Sequence, residues 1–174
     1  MSIDTLKKSI GDYGRDIRIN ISRILTEDGA PGLTETQIYG VALACAYCTK
    51  SRSLIEAIIS DTDALPQEVV HAAKASATIM AMNNVYYRFI HLVQDKEYGQ
   101  MPASLRMTVI ANPGVPKVDF ELMCLAVSAI NGCGACMDSH ARTVRQESVS
   151  AQGVQSAVRI ASVIHATAQA LSIN

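Results

Sequence analysis

A chain of 174 residues with 49 % apolar side chains is sized for one domain with a substantial buried core. Fifteen basic and sixteen acidic residues give a formal net charge of −1, and no basic stripe or run stands out, which argues against a nucleic-acid-binding surface. No continuous apolar stretch reaches about 18 residues and the polar start Met1–Lys8 lacks a secretory apolar region, so a soluble cytoplasmic protein without membrane contact is expected.

Taken in chain order, the pattern is helical throughout. Leu6, Ile10, Tyr13, Ile17, Ile21 and Leu25 recur at helical spacing and predict a first helix, ended by Glu27-Asp28-Gly29-Ala30-Pro31-Gly32. A second helix is predicted over about 35–50 and a short third over 53–59. Asp61-Thr62-Asp63 followed by Pro66 reads as the cap of a long apolar-rich helix over 68–93. Residues 95–102 form a polar connection, and 105–110 are apolar but too short to distinguish helix from strand. After the loop Asn112–Pro116 comes a buried helix over 118–130, interrupted by Asn131-Gly132. Two more helices are predicted, from Cys133 to about Glu147 and from Ala151 to Leu171. With Trp absent, Phe occurring twice and small aliphatic residues abundant, the expectation is an all-α bundle of six or seven helices in a single domain over residues 1–174. A faint repeat, roughly 33–93 against 118–174, suggests two related helical halves: Cys45-x-x-Cys48 lies 88 positions before Cys133-x-x-Cys136, and 70–82 echoes 154–166.

Five cysteines without an export signal argue against a structural disulfide framework and point to catalysis or metal binding. The thiolate is the reactive form, and an ordinary thiol titrates near ~8.5, so a working cysteine needs a helix N-terminus, a base or a cation beside it. Asn131-Gly132 places Cys133 at a helix start, and His140 falls one turn beyond Cys136 on the same face. On one continuous helix Glu121 would lie about 18 Å from Cys133. A hairpin at Asn131-Gly132 brings Glu121 level with His140 to within about one turn, so that the carboxylate can hold an imidazole that takes the proton of Cys136. The helix N-terminus favours Cys133 as the acidic thiol and His140 favours Cys136. A dipole contributes about 0.3–1 kcal/mol and a placed base ~10²-fold or more in rate, so Cys136 is the preferred nucleophile.

The first pair lacks these neighbours, since a shift of 88 puts Leu33 opposite Glu121 and Arg52 opposite His140. Cys45, Cys48 and Cys124 therefore read as small core residues. His71 and His165 read as structural and His91 as a solvated or helix-end residue. Asn83 and Asn84 interrupt an apolar helix, which is costly without hydrogen bonds, and stand either as support for the site or at a subunit interface.

Glu121-x11-Cys133-x2-Cys136-x3-His140, together with the surrounding stretches 105–114 and 120–133, resembles the signature of the alkyl hydroperoxidase D (AhpD) family in the carboxymuconolactone decarboxylase-like superfamily. Residues 82–88 and the N-terminal helix also fit, so the resemblance covers nearly the whole chain. It implies an all-helical subunit assembling as a homotrimer, which reduces alkyl hydroperoxides and re-reduces a partner peroxiredoxin, alkyl hydroperoxide reductase C. It implies electrons from dihydrolipoamide on a lipoylated acyltransferase, with no cofactor bound to the chain itself. By the same likeness Cys136 attacks the peroxide and passes through a sulfenic acid, Cys133 donates a proton and closes the disulfide, and Glu121 and His140 form the proton relay. Some relatives carry a second histidine between the cysteines where this chain has Ala135, so a relay step through that side chain must use water or be missing.

Two other readings stay open. Cys133, Cys136, His140 and Glu121 form a possible tetrahedral zinc set, which would make this a metal-stabilised structural or interaction domain. Against it, C-x-x-C zinc sites normally draw their remaining ligands from a separate segment. A non-redox member of the superfamily, a decarboxylase-like enzyme or an assembly module, would not need C-x-x-C at all.

Overall fold

The structure, a computed structural model, describes residues 1–62 and 65–173. Seven α-helices of nine residues or more, with two single-turn helices, make up the described part, and no strand occurs among the described residues. They are α1 (Ile3–Leu6), α2 (Arg15–Ile24), α3 (Glu35–Thr49), α4 (Arg52–Ser60), α5 (Gln67–Leu92), α6 (Thr108–Ala111), α7 (Lys117–Ile130), α8 (Gly134–Gln146) and α9 (Ala151–Ser172).

Two helices are apolar on every side and form the centre. In α3 the run Val41–Ala46 is wholly buried, and in α7 nine consecutive residues, Phe120 to Ser128, are buried. A helix without a polar face belongs inside a domain. Accordingly α3 is packed by α4, α5, α7 and α9, and α7 by α3, α5, α8 and α9. Small residues set the close approach: Gly153 of α9 faces the loop before α3, where an added Cβ would stand 2.7 Å from the Gly32 carbonyl oxygen. Thr34 and Gln37 cap α3 reciprocally, and Gln37 also donates to Asp119 at 2.7 Å, tying the start of α3 to the start of α7.

Three expectations change. The single N-terminal helix is broken into α1, two short 3₁₀ turns and α2, because Gly11 and Gly14 fall where the helix would have to continue. The chain is extended at Ile10 and Gly11, and Arg18 satisfies the carbonyls freed there, at 2.6 and 3.0 Å. Tyr13 is turned outward, half-exposed, with its hydroxyl donating to the Ala170 carbonyl. The cap assigned to Asp61-Thr62-Asp63 is not used for α5, whose N-cap is Pro66. The Asp61 carboxylate instead accepts from the backbone N–H of Ile3, Thr62 turns back to the Ile59 carbonyl, and Asp63 lies outside the described residues. The ambiguous segment 105–110 resolves as a loop leading into the single turn α6.

The two C-x-x-C pairs sit at unlike places in their elements. Cys45 and Cys48 lie within α3, whereas Cys133 is the N-cap of α8, the place that Ser51 occupies in front of α4. Among the described residues no helix is long and apolar enough to cross a membrane.

Candidate active site

The site grows out of the turn between α7 and α8. Asn131 ends α7, and Gly132 takes φ +69°, a left-handed conformation that costs a residue with a Cβ about 1–2 kcal/mol. The reversal folds α8 back along α7, and the N–H of Cys133 returns to the Ser128 carbonyl at 3.1 Å. Cys133 becomes the N-cap of α8, its sulfur accepting from the N–H of Cys136 at 3.3 Å. A sulfur there receives one of the otherwise unpaired N–H groups of the first turn. Cys133 and Cys136 are joined as a disulfide, with Cα atoms 5.3 Å apart.

One turn beyond Cys136, His140 meets Glu121 across the hairpin: Nδ1 and Oε2 are 2.6 Å apart, and both residues are more than 90 % buried. An ionised carboxylate only accepts, so beside it Nδ1 carries the proton and donates it, and Nε2 is the ring nitrogen left outside that bond.

Cys136, His140 and Glu121 open onto a pocket of about 290 Å³. Met80, Asn83 and Tyr87 of α5, with Met107 and Ile110 of the segment leading into and through α6, form its facing wall. Ala135 also lines it. Cys133 is fully buried and does not reach the pocket, so the two sulfurs have different access: Cys136 faces a ligand-sized space and Cys133 lies behind it.

A hydrogen-bond network behind the turn fixes its position. The Asn131 amide donates to Asn84 Oδ1 at 2.9 Å, the Asn84 amide donates to Ser128 Oγ at 2.9 Å, and the Arg88 guanidinium donates to the Asn131 carbonyl at 2.6 Å. The Cys48 thiol joins it, donating to Asn131 Oδ1 at 3.5 Å. The network links α3, α5, α7 and the reactive turn, and Asn84 is one of the two asparagines that break the apolar pattern of α5.

The remaining thiols are held in their neutral form. Burial pushes Cys45 and Cys124 well above the ordinary thiol range, with Cys48 adding to the effect on Cys45 and Glu121 to that on Cys124. Burial also raises Cys48, although Lys50 and the Asn131 hydrogen bond act the other way. His71, His91 and His165 are exposed and outside the site. A zinc site would need both sulfurs and the carboxylate as separate ligands. Here the sulfurs are bonded to each other and Glu121 to His140, and among the described residues no group of three or more His, Cys, Asp or Glu side chains is disposed to hold a metal.

Sequence reasoning named the four residues of the hairpin and missed most of the opposite wall. Tyr87, Met107 and Ile110 reach the pocket only through the packing of α5, α6 and the loop before α6, and their spacing carries no mark of it. Asn83 had one signal, a polar residue in an apolar helix.

Known proteins resemble this chain along nearly its whole length. The model of the carboxymuconolactone decarboxylase family matches residues 96–173, which include all four hairpin residues. Alkyl hydroperoxide reductase AhpD of Coxiella burnetii (strain Dugway 5J108-111) is 50 % identical over 168 residues, covering 96 % of this chain and 95 % of the relative. The proteins of the same name from Brucella suis and Brucella abortus are 49 % and 48 % identical over 172 residues, covering 98 % of this chain and 97 % of each relative. Identity at this level over nearly the full length of both partners, together with the all-helical fold, shows that the chain belongs to the alkyl hydroperoxide reductase AhpD family within the carboxymuconolactone decarboxylase superfamily.

Proposed function

We propose that this protein is a thiol-dependent antioxidant oxidoreductase that reduces alkyl hydroperoxides through the Cys133–Cys136 dithiol. The observation that carries the reading is the asymmetry of the pair, with Cys136 on a pocket shared with a buried His140–Glu121 couple and Cys133 behind it at a helix N-terminus. His140 takes the proton of the Cys136 thiol at Nε2, while Glu121 stabilises the imidazolium at Nδ1. The Cys136 thiolate attacks the terminal oxygen of the hydroperoxide, the O–O bond breaks, and the alkoxide takes a proton from His140 to leave as an alcohol. Cys136 is then a sulfenic acid. The Cys133 sulfur attacks it, the S–O bond breaks, the disulfide forms and water leaves with the Cys133 proton. Ala135 offers no proton, so the relay runs through His140 alone or through water.

Reduction runs through the same asymmetry. A dithiol entering the pocket attacks the accessible Cys136 sulfur and expels Cys133 as a thiolate, which the N–H of Cys136 is placed to stabilise. The electron donor of the proposal is dihydrolipoamide on a lipoylated acyltransferase, and the alternative acceptor is the disulfide of a peroxiredoxin, alkyl hydroperoxide reductase C. Three unpaired cysteines, Cys45, Cys48 and Cys124, suit a reducing cytoplasm.

A homotrimer is part of the proposal. Its support is an exposed apolar patch along the C-terminal half of α5 and the following 3₁₀ turn, comprising Val85, Phe89, Leu92, Tyr98 and Met101, with Phe89 and Tyr98 rings 5.2 Å apart. Light scattering is expected to give three times the 18.7 kDa chain mass. The function is tested by mixing the oxidised protein with dihydrolipoamide and then adding an oxidised peroxiredoxin. Expected is a rapid gain of two thiols, then their transfer. Resistance to dihydrolipoamide would remove the proposed electron source.

A further inference from the structure

A second cavity, of about 710 Å³, lies beside the active-site pocket with α5 as the common wall. Asn83 and Tyr87 line the active-site pocket, whereas Asn84 and Arg88 line this one, with Asn131 of the reactive turn and the C-terminal end of α3. Its volume is within the range of about 300–1,000 Å³ usual for small-molecule sites.

The charge of this cavity is one-sided. Lys50, Lys74 and Arg88 line it and no Asp or Glu does, although the whole chain has a net charge of −1. Among the described residues none of the three cations pairs with a carboxylate. The other surface lined by three cations differs, since there Lys7 pairs with Asp4 and Arg18 with Asp12. Helices α3 and α7 end at the cavity, at Lys50 and Asn131, and each end contributes about half a negative charge, which leaves close to two positive charges uncompensated. A concave surface of one sign concentrates ions of the other.

The charged groups are open to an incoming molecule, because Lys50 and Lys74 are exposed and Tyr47 and Arg88 half-buried. Lys74 has only the Tyr47 ring beside it, its ammonium 5.7 Å from the ring centre. Arg88 spends one N–H on the Asn131 carbonyl and keeps its other donors. Thr78 and Cys48 spend their hydrogens on the Lys74 carbonyl and on Asn131 Oδ1, while the Asn131 amide keeps one N–H beyond that given to Asn84. The Tyr47 hydroxyl has no hydrogen-bond partner among the described residues. What the cavity offers is therefore positive charge and hydrogen-bond donors, with aliphatic surface at Ala81 and Val85.

We infer that this cavity binds a small organic molecule carrying two or more anionic groups, carboxylate or phosphate. The guanidinium of Arg88 offers a planar set of N–H donors to one oxyanion, and Lys50 and Lys74 act as point charges for another. The carbon skeleton between them lies against Ala81 and Val85.

The test is isothermal titration calorimetry of the full-length disulfide form, with citrate and pyrophosphate as the probes. Saturable binding of one equivalent per chain is expected for at least one probe, weakening with added salt. Citrate alone would make the site one for carboxylates and pyrophosphate alone one for phosphates. Lys50→Gln and Lys74→Gln are each expected to weaken binding about 2- to 5-fold, and the double variant about 4- to 25-fold, with melting temperature unchanged because both side chains are exposed. Lys117→Gln, at the far end of α7 from Asn131, should leave the affinity as it is. The absence of saturable heat with both probes would overturn the inference, as would undiminished affinity in the double variant. An equal loss in Lys117→Gln would also overturn it, reducing the effect to general surface charge. So would an altered light-scattering mass of the double variant, which would give these cations to a contact between copies of the chain. Binding is read without turnover, so its outcome is separate from that of the peroxide reading.

Discussion

Replacing Glu121 by glutamine separates the charge of the His140–Glu121 couple from its shape. The two side chains meet at 2.6 Å with almost no access to water, so the charged bond is not screened by solvent. A hydrogen bond to a charged group contributes about 1.5–3 kcal/mol and a neutral one about 0.5–1.5 kcal/mol. Glutamine keeps an acceptor for Nδ1–H, so the imidazolium formed when His140 takes the Cys136 proton loses about 1–1.5 kcal/mol of support, roughly tenfold in rate at one proton transfer. The return of that proton to the alkoxide is eased by the same loss of support, so the expected loss stays at about tenfold in hydroperoxide-driven disulfide formation. Folding stability should barely change, because a buried charge is removed along with the stronger bond. Glu121→Ala, by contrast, strands a buried N–H at a cost of about 1–3 kcal/mol, and should lower the melting temperature by roughly 2–12 °C for a chain of this size. Stopped-flow oxidation and thermal melts of both variants decide the matter. A Glu121→Gln protein with wild-type kinetics would refute the relay.

Further outcomes follow from the same geometry. Cys133→Ser should accumulate a sulfenic acid at Cys136 that a dimedone probe captures, whereas Cys136→Ser should yield none; capture at Cys133 in the latter would reverse the two roles. Gly132→Ala places a Cβ in open space but at φ +69°, so it should cost about 1–2 kcal/mol in denaturant melts through backbone strain alone. In the reduced protein at pH 8, iodoacetamide should label Cys48 slowly and Cys45 and Cys124 only on unfolding, as followed by peptide mass spectrometry. These three thiols are raised by burial, so above about pH 8.5 the unfolded chain releases its protons first. Stability from them is full below that pH and declines as pH rises toward the folded values, which melts between pH 8 and 10 will report.

The hairpin was legible because Asn131-Gly132 breaks an otherwise continuous apolar helix, and arithmetic on helical rise then carries Glu121 to His140. The long helices were legible from their periodicity and from the loops that bound them. The N-terminal helix was misread because the spacing of Leu6, Ile10 and Tyr13 outweighed Gly11 and Gly14, and only packing shows that Ile10 crowds against Gly14, where an added Cβ would lie 2.3 Å from the Ile10 side chain. The cap at Asp61 was misread because a carboxylate that suits a helix start serves another backbone N–H 58 residues away. The wall of the pocket was hidden for a related reason. Met107 and Asn83 are 24 positions apart, and neither is near the motif that they face.

The central claim, that Cys133 and Cys136 are the pair a hydroperoxide oxidises, is tested by counting thiols. The fully reduced chain has five. After one equivalent of cumene hydroperoxide, three are expected to remain, with Cys45, Cys48 and Cys124 free and a Cys133–Cys136 disulfide recovered by peptide mapping. Five surviving thiols, or a disulfide between any other pair, would contradict the account.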